Sequence, residues 1–383
     1  MSARMRILLA SPAYWPAHAF GGPVVVAREL VSRLVARGHE VDVVTTTLRD
    51  VAEPPAPRTR VETLDGARVT YLATPLRYRW MGITPTLPLA LRRLTTPDVV
   101  HVMGFRDPVT TGVAAWCRVR RVPYVFEPVG MFRPRLRKVA LKRLFDSTLA
   151  RGVASGARLV VVSSPRERDD VAAAGVDPAR IRMRGNAFPD PPPSGDGDPL
   201  AGIVPAGAPV VLYVGRIAAE KGIEHLVEAA RALPDVHIVL AGPDDRHGTL
   251  ALVGAAQVDP RTAGRIHLLP ATAGPPFDLY RRADVFVLAS GGENFGLVAA
   301  EAASVGTPVV VSDRTGVASS FADGEALVVP YDARATVAAL GRVLGDEALR
   351  RSLAEGARRA AARSTWDAVV DAQLAIYEEA RGS

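Results

Sequence analysis

Two hydrophobic periods alternate along the first half of the chain. Short runs rich in Val, Ile and Leu at 6–10, 41–44, 98–102, 123–126 and 159–163 have the length of strands buried on both faces. A loop over 11–22 follows the first run. After it Pro23 suits the first helical position, and Val24, Ala27, Leu30, Val31 and Leu34 recur at the 3.6-residue spacing of one helix face. Arg37, Gly38 and His39 end that helix. Ser164, Pro165 and Glu167 read as a capping box with proline at the first turn, and so as another helix start. Strands that alternate with helices predict a parallel sheet covered on both faces.

The pattern breaks over 189–209, where 11 of 21 residues are Pro or Gly. That density excludes a helix or a central strand and predicts a linker. Beyond it the alternation restarts, with strands at 210–214, 236–241, 285–289 and 308–311 and a helix over 223–233. The expected fold class is α/β: two Rossmann-like, doubly wound parallel-sheet domains facing a central cleft, at 1–188 and 210–365, with no internal repeat relating them. Ligands of such sheets bind beyond the carboxyl ends of the strands.

Composition narrows the class of function. At 48% hydrophobic and 23% charged residues, the chain is globular rather than disordered or fibrous. A single cysteine, Cys117, excludes a disulfide framework and a thiolate metal cluster, and it suits a reducing compartment. The apolar stretch 7–10 is shorter than the ~7–15 residues of a signal core, and no run approaches the ~18 residues of a spanning helix. The expected location is cytoplasmic, at most peripheral on the inner face of a membrane. Residues 1–188 carry 30 Lys+Arg against 15 Asp+Glu, whereas 189–383 carry 17 against 25. One half is thus suited to an anionic partner. No nucleic-acid motif accompanies the charge.

The chemistry concentrates in the second half. SGGENFGLVAAEA over 290–302 follows a strand and opens a helix. Free amides at Asn294, Phe295, Gly296 and Leu297 would suit a phosphate, while Glu293 in the turn and Glu301 on the helix would accept bonds from vicinal sugar hydroxyls. Taken alone, two glutamates at this spacing read as an ordinary capped helix. Arg216 and Lys221 lie in the loop after the 210–214 strand, a fork and a point charge suited to a diphosphate. Asp244 and Asp245 read as loop residues rather than a metal site. The basic segment 133–145 is either an amphipathic helix for an anionic membrane or a helix packed on the core.

In order along the chain, Gly21-Gly22, Arg37-Gly38-His39-Glu40, Gly215-Arg216, Lys221-Gly222, Glu293, Phe295-Gly296, Glu301-Ala302 and Gly306 with Pro308 resemble the retaining family 4 glycosyltransferases of the GT-B fold, which carry an E-x7-E motif. The resemblance runs over nearly the whole chain. It implies a donor domain at 210–365, an acceptor domain at 1–188, and a final helix over 366–383 that crosses back to the first domain. It implies retaining, metal-independent transfer of a hexose from a UDP- or GDP-sugar to a hydroxyl of a sugar, a lipid-linked sugar or a small natural product, with no cofactor.

The implied donor-binding residues are Gly21, Gly22, Arg216, Lys221, Glu293, Asn294, Phe295, Gly296, Leu297 and Glu301. Of these, Glu293, Arg216 and Lys221 have catalytic roles: the two cations hold the diphosphate and Glu293 holds the sugar. On the acceptor side the candidates are His101, Glu127 and Gly130, with a structural histidine as the other reading of His101. Two positions depart from the family pattern. Val129 stands where many members have a histidine, and Ala187 replaces the glycine after Asn186. The first departure leaves a catalytically silent sugar-nucleotide-binding protein as the alternative. A dehydrogenase is disfavoured, since no G-x-G-x-x-G follows the first strand.

Overall fold

The computed structural model describes residues 3–50, 53, 56–78, 80–132, 151–244, 248–272 and 274–382. The basic segment 133–145 lies outside the described residues. The chain forms two compact units: one runs to Asn186 and takes in the residues from Trp366 onward, and the other is Ala187–Thr365.

The first unit holds β1 (Arg6–Ala10), β2 (Glu40–Thr46), β3 (Arg60–Leu64), β4 (Ala67–Leu72), the hairpin β5 (Leu76–Tyr78) and β6 (Met81–Ile83), then β7 (Val99–Met103), β8 (Tyr124–Glu127), β9 (Leu159–Val162) and β10 (Ile181–Met183). Its eight-stranded sheet has the order β10-β9-β8-β7-β1-β2-β4-β3. Every pairing in it is parallel except β3 on β4. Asp65 and Gly66, both at positive φ, close the β3–β4 hairpin in the manner of a type I′ turn. The strands β1, β7 and β8 are buried almost throughout, as suits strands of a sheet covered on both faces. The helix Gly22–Ala36 buries Val24, Val26, Ala27, Leu30, Val31 and Leu34.

The helix Trp366–Gly382 packs into this unit, burying Trp366, Val370, Gln373, Leu374 and Tyr377. Arg37 forms ion pairs with both Asp367 and Asp371. Arg182 does the same with Glu379.

The second unit holds β11 (Val210–Val214), β12 (His237–Ala241), β13 (Ile266–Leu269), β14 (Val285–Leu288), β15 (Val309–Ser312) and β16 (Leu327–Val329). Its order is β13-β12-β11-β14-β15-β16, parallel throughout. This is the 3-2-1-4-5-6 pattern in which strand order reverses between the first and fourth strands. The stretch 189–209, expected as a linker, follows the boundary at Asn186 and packs in part against the second unit. Leu200 and Val204 are buried with Phe188 in the core of the second unit, and Asp198 pairs with Arg282 at 3.2 Å. A few apolar side chains spaced among the prolines are enough to lay the segment on the sheet.

Candidate active site

The reversal point of the second sheet lies between β11 and β14, and the loops leaving those two strands carry the charged residues. Gly222, at φ +71, is where the loops touch: a Cβ there would lie 1.9 Å from the Ala289 carbonyl oxygen. No other residue fits. Two further bonds lace the loops together. The Gly291 amide donates to the Glu220 carbonyl at 2.9 Å, and the Ser290 hydroxyl donates to the same oxygen at 3.1 Å. With the backbones so close, Lys221 meets Glu293 as an ion pair in which the side chains are only 15% and 21% exposed.

Arg216 is held differently. The Tyr213 hydroxyl donates to its carbonyl oxygen at 2.7 Å and fixes the backbone, while the side chain is 57% exposed and its guanidinium lies 3.7 Å from Glu220. A fork in that state can turn toward an anion at little cost. Gly242 supports the same loop, since a Cβ there would lie 2.1 Å from the Gly215 carbonyl oxygen.

The 294–297 turn is braced from the loop after β15. A Cβ on Gly316 would lie 1.9 Å from the Asn294 carbonyl oxygen, and the Val317 amide donates to Phe295 at 2.7 Å. The phenyl ring of Phe295 is buried in the core, so its contribution to a ligand is confined to backbone. Gly296, at φ +105, caps the helix Leu297–Ser304. Its orphan amides, with the positive dipole end, suit an anion.

Glu301 is on this helix, and the Tyr280 hydroxyl donates to its Oε2 at 2.7 Å. Burial pushes the Glu301 carboxyl up to about 7, against the lowering effect of that bond. Four residues expected together, Lys221, Glu293, Arg216 and Glu301, therefore stand on loops or a helix at the carboxyl end of adjacent strands.

In the first unit Gly21 and Gly22 end the loop after β1. Gly21, at φ +74, precedes the helix Gly22–Ala36, and a Cβ on it would meet nothing within 4 Å. The helix N-terminus is thus open beside it.

The acceptor-side expectation needs correction for two of its three residues. His101 is fully buried on β7, hydrogen-bonded to the Tyr377 hydroxyl at 2.8 Å and 3.0 Å from Glu127. Glu127 is 2% exposed and takes both arms of the Arg184 guanidinium at 2.9 Å. Burial alone would raise its carboxyl; Arg184 and His101 beside it hold it below the ordinary value instead. The final helix covers both residues, so they bind that helix to the sheet rather than face a substrate. Gly130 is half-buried, and its amide donates to the Glu167 carboxylate. The preceding Val129 sits at φ +53, a conformation that a β-branched residue adopts only when held there.

Several supporting residues escaped the sequence reading. The Glu167 carboxylate, expected to return to the cap of its own helix, accepts from the Ser163 amide at 2.8 Å and from Gly130. Tyr280 and Gly316 have no local motif; only the packing exposes them. Among the described residues no group of three His, Cys, Asp or Glu side chains is placed to hold a metal ion, and no helix is long and apolar enough to cross a membrane.

Residues 203–360 match the family described as Glycosyl transferases group 1, and residues 21–187 match the Glycosyl transferase 4-like domain. The chain is 31% identical over 396 residues to a D-inositol 3-phosphate glycosyltransferase of Xylanimonas cellulosilytica, covering 94% of this chain and 92% of that one. The corresponding protein of Jonesia denitrificans is 30% identical over 409 residues, with the same shares covered. Among solved structures, sucrose-phosphate synthase from Thermosynechococcus elongatus superposes with a TM-score of 0.78 at 26% identity, covering 98% of each chain. The Anabaena protein HepE, in complex with UDP and glucose, superposes with a TM-score of 0.76 at 17% identity, covering 97% of this chain and 98% of that one.

Proposed function

Because the chain belongs to the group 1 glycosyl transferases and has the GT-B fold, we propose that it moves a hexose from a UDP- or GDP-sugar to an acceptor hydroxyl, with retention at the anomeric carbon and without a metal ion. The observation that carries this reading is the meeting of Lys221 and Glu293 where the strand order of the second sheet reverses. A cation and a carboxylate a few ångströms apart match the two halves of a sugar diphosphate. The UDP and glucose named in the HepE structure fit the same chemistry.

In this reading Lys221 and Arg216 receive the diphosphate, the amides at 294–297 add dipoles, and Glu301 takes the ribose hydroxyls. The bond between the anomeric carbon and the diphosphate oxygen breaks, and its electron pair leaves with the phosphate. The acceptor oxygen attacks the same face, and its proton passes to the departing phosphate. The protein's part is positioning and stabilisation of the charge on the leaving group. The first unit takes the acceptor, a hydroxyl compound, and the cationic excess of residues 1–188 favours one that bears negative charge.

The test is transfer from UDP- and GDP-hexoses by Arg216→Ala and Glu293→Ala. Each is expected to lose at least ~100-fold in kcat/KM, while its melting curve still shows a cooperative transition of a folded protein. Full activity in both would refute the assignment, and nucleotide-sugar binding without transfer to any acceptor by the wild type would favour the silent binder.

A further inference from the structure

The cation assigned to the diphosphate and the carboxylate assigned to the sugar neutralise one another as an ion pair. We infer that the Lys221–Glu293 pair makes the site select a sugar-bearing nucleotide over the bare nucleoside diphosphate, and so favours donor over product. The inference rests on the donor-site reading above.

The argument is one of charge pairing in a shielded place. Both side chains are about four-fifths withdrawn from water, so a ligand that captures one of them strands the other. A sugar nucleotide replaces both partners at once: its diphosphate diester takes Lys221, and its sugar hydroxyls donate to Glu293. A nucleoside diphosphate replaces only one. It takes Lys221 and leaves Glu293 a charged acceptor without a donor, facing a terminal phosphate that carries an additional negative charge.

Arg216 does not relieve this, because its exposed guanidinium is available to either ligand alike. The second glutamate contributes nothing to the distinction either. Glu301 is engaged by Tyr280 on the helix and is assigned to the ribose, which both ligands share. The selection thus falls on one pair, and the backbone contact at Gly222 keeps that pair together.

The experiment is isothermal titration of the full chain with UDP, GDP and ADP and with their glucose conjugates, read as the ratio of Kd for the bare nucleotide to Kd for the sugar nucleotide. Glu293→Gln removes the stranded charge and frees Lys221, so the bare nucleotide is expected to bind ~10-fold tighter and the ratio to fall by at least that factor. Lys221→Gln leaves Glu293 charged against the terminal phosphate, so the ratio is expected to rise. Opposite movement of the two ratios is a signature that loss of structure cannot produce, and melting curves of both variants show that each is folded.

Ratios within twofold of wild type in both variants, or movement in the same direction, overturn the inference while leaving the donor site intact. Failure of the wild type to bind any of the six ligands overturns the donor site and the inference with it.

Discussion

Replacing Glu301 by glutamine shows whether this carboxylate is held in place against the stability of the fold. Burial pushes its carboxyl from 4.5 to about 7, with the Tyr280 hydroxyl acting in the opposite direction. The folded state therefore binds the proton more tightly than the unfolded chain does. Stability from this group is fully present below about 4.5, declines as pH rises, and is level again above about 7. At about 1.4 kcal/mol per pH unit, the interval corresponds to ~3 kcal/mol, which water reaching a half-buried side chain reduces to ~2 kcal/mol.

Glutamine keeps an oxygen for the Tyr280 hydroxyl and does not ionise. At pH 8 Glu301→Gln is expected to be more stable than wild type by ~2 kcal/mol, or ~4–8 °C in the melting temperature of a unit of this size. At pH 4.5 the two should nearly coincide. Calorimetry of the ligand-free protein across that range is the assay, following the transition of the second unit. Nucleotide affinity at pH 8 should fall in the same variant. Melting curves for wild type and variant that run parallel from pH 4.5 to 8 would refute the reasoning.

Two further outcomes follow from the packing. Gly222→Ala sets a methyl 1.9 Å from a carbonyl oxygen at a positive φ and should cost ~3 kcal/mol or more, with loss of nucleotide binding; denaturant titration and calorimetry read both. Arg184→Met leaves Glu127 as a buried charge short of its main partner and should destabilise the first unit by ~3–5 kcal/mol, and adding Glu127→Leu should recover much of that loss in the same urea titration.

Local pattern was a good guide wherever local physics decides the outcome. The strands β1, β11, β12, β14 and β15 are continuous apolar runs between turn signals, and they formed where their sequences place them. The hairpin β3–β4 was missed although Asp65-Gly66 announces its turn, because the flanking segment 60–64 is largely exposed and lacks a hydrophobic run. At the candidate site, order and spacing single out Arg216, Lys221, Glu293 and Glu301, which the fold places after β11 and β14.

Their supports were not legible in the sequence. Tyr280 meets Glu301 across 21 residues, and the role of Gly222 depends on a carbonyl 67 positions away. His101 and Glu127 were misjudged for a related reason. Both lie at or near strand ends, yet His101 is bonded by Tyr377 from a distant part of the chain and Glu127 is held by Arg184. A polar residue near a strand end reads as exposed until its cover is known.

The helix Trp366–Gly382 belongs with the first residues of the chain, yet it is synthesised after the whole of Ala187–Thr365. Until it is made, His101 lacks its bond with Tyr377 and Arg184 its bond with Gln373. Synthesis therefore completes the unit Ala187–Thr365 before the one that was begun first. A ribosome that stalls before Gly382, or a protease that cuts after Thr365, would therefore damage the unit that contains the first residues of the chain.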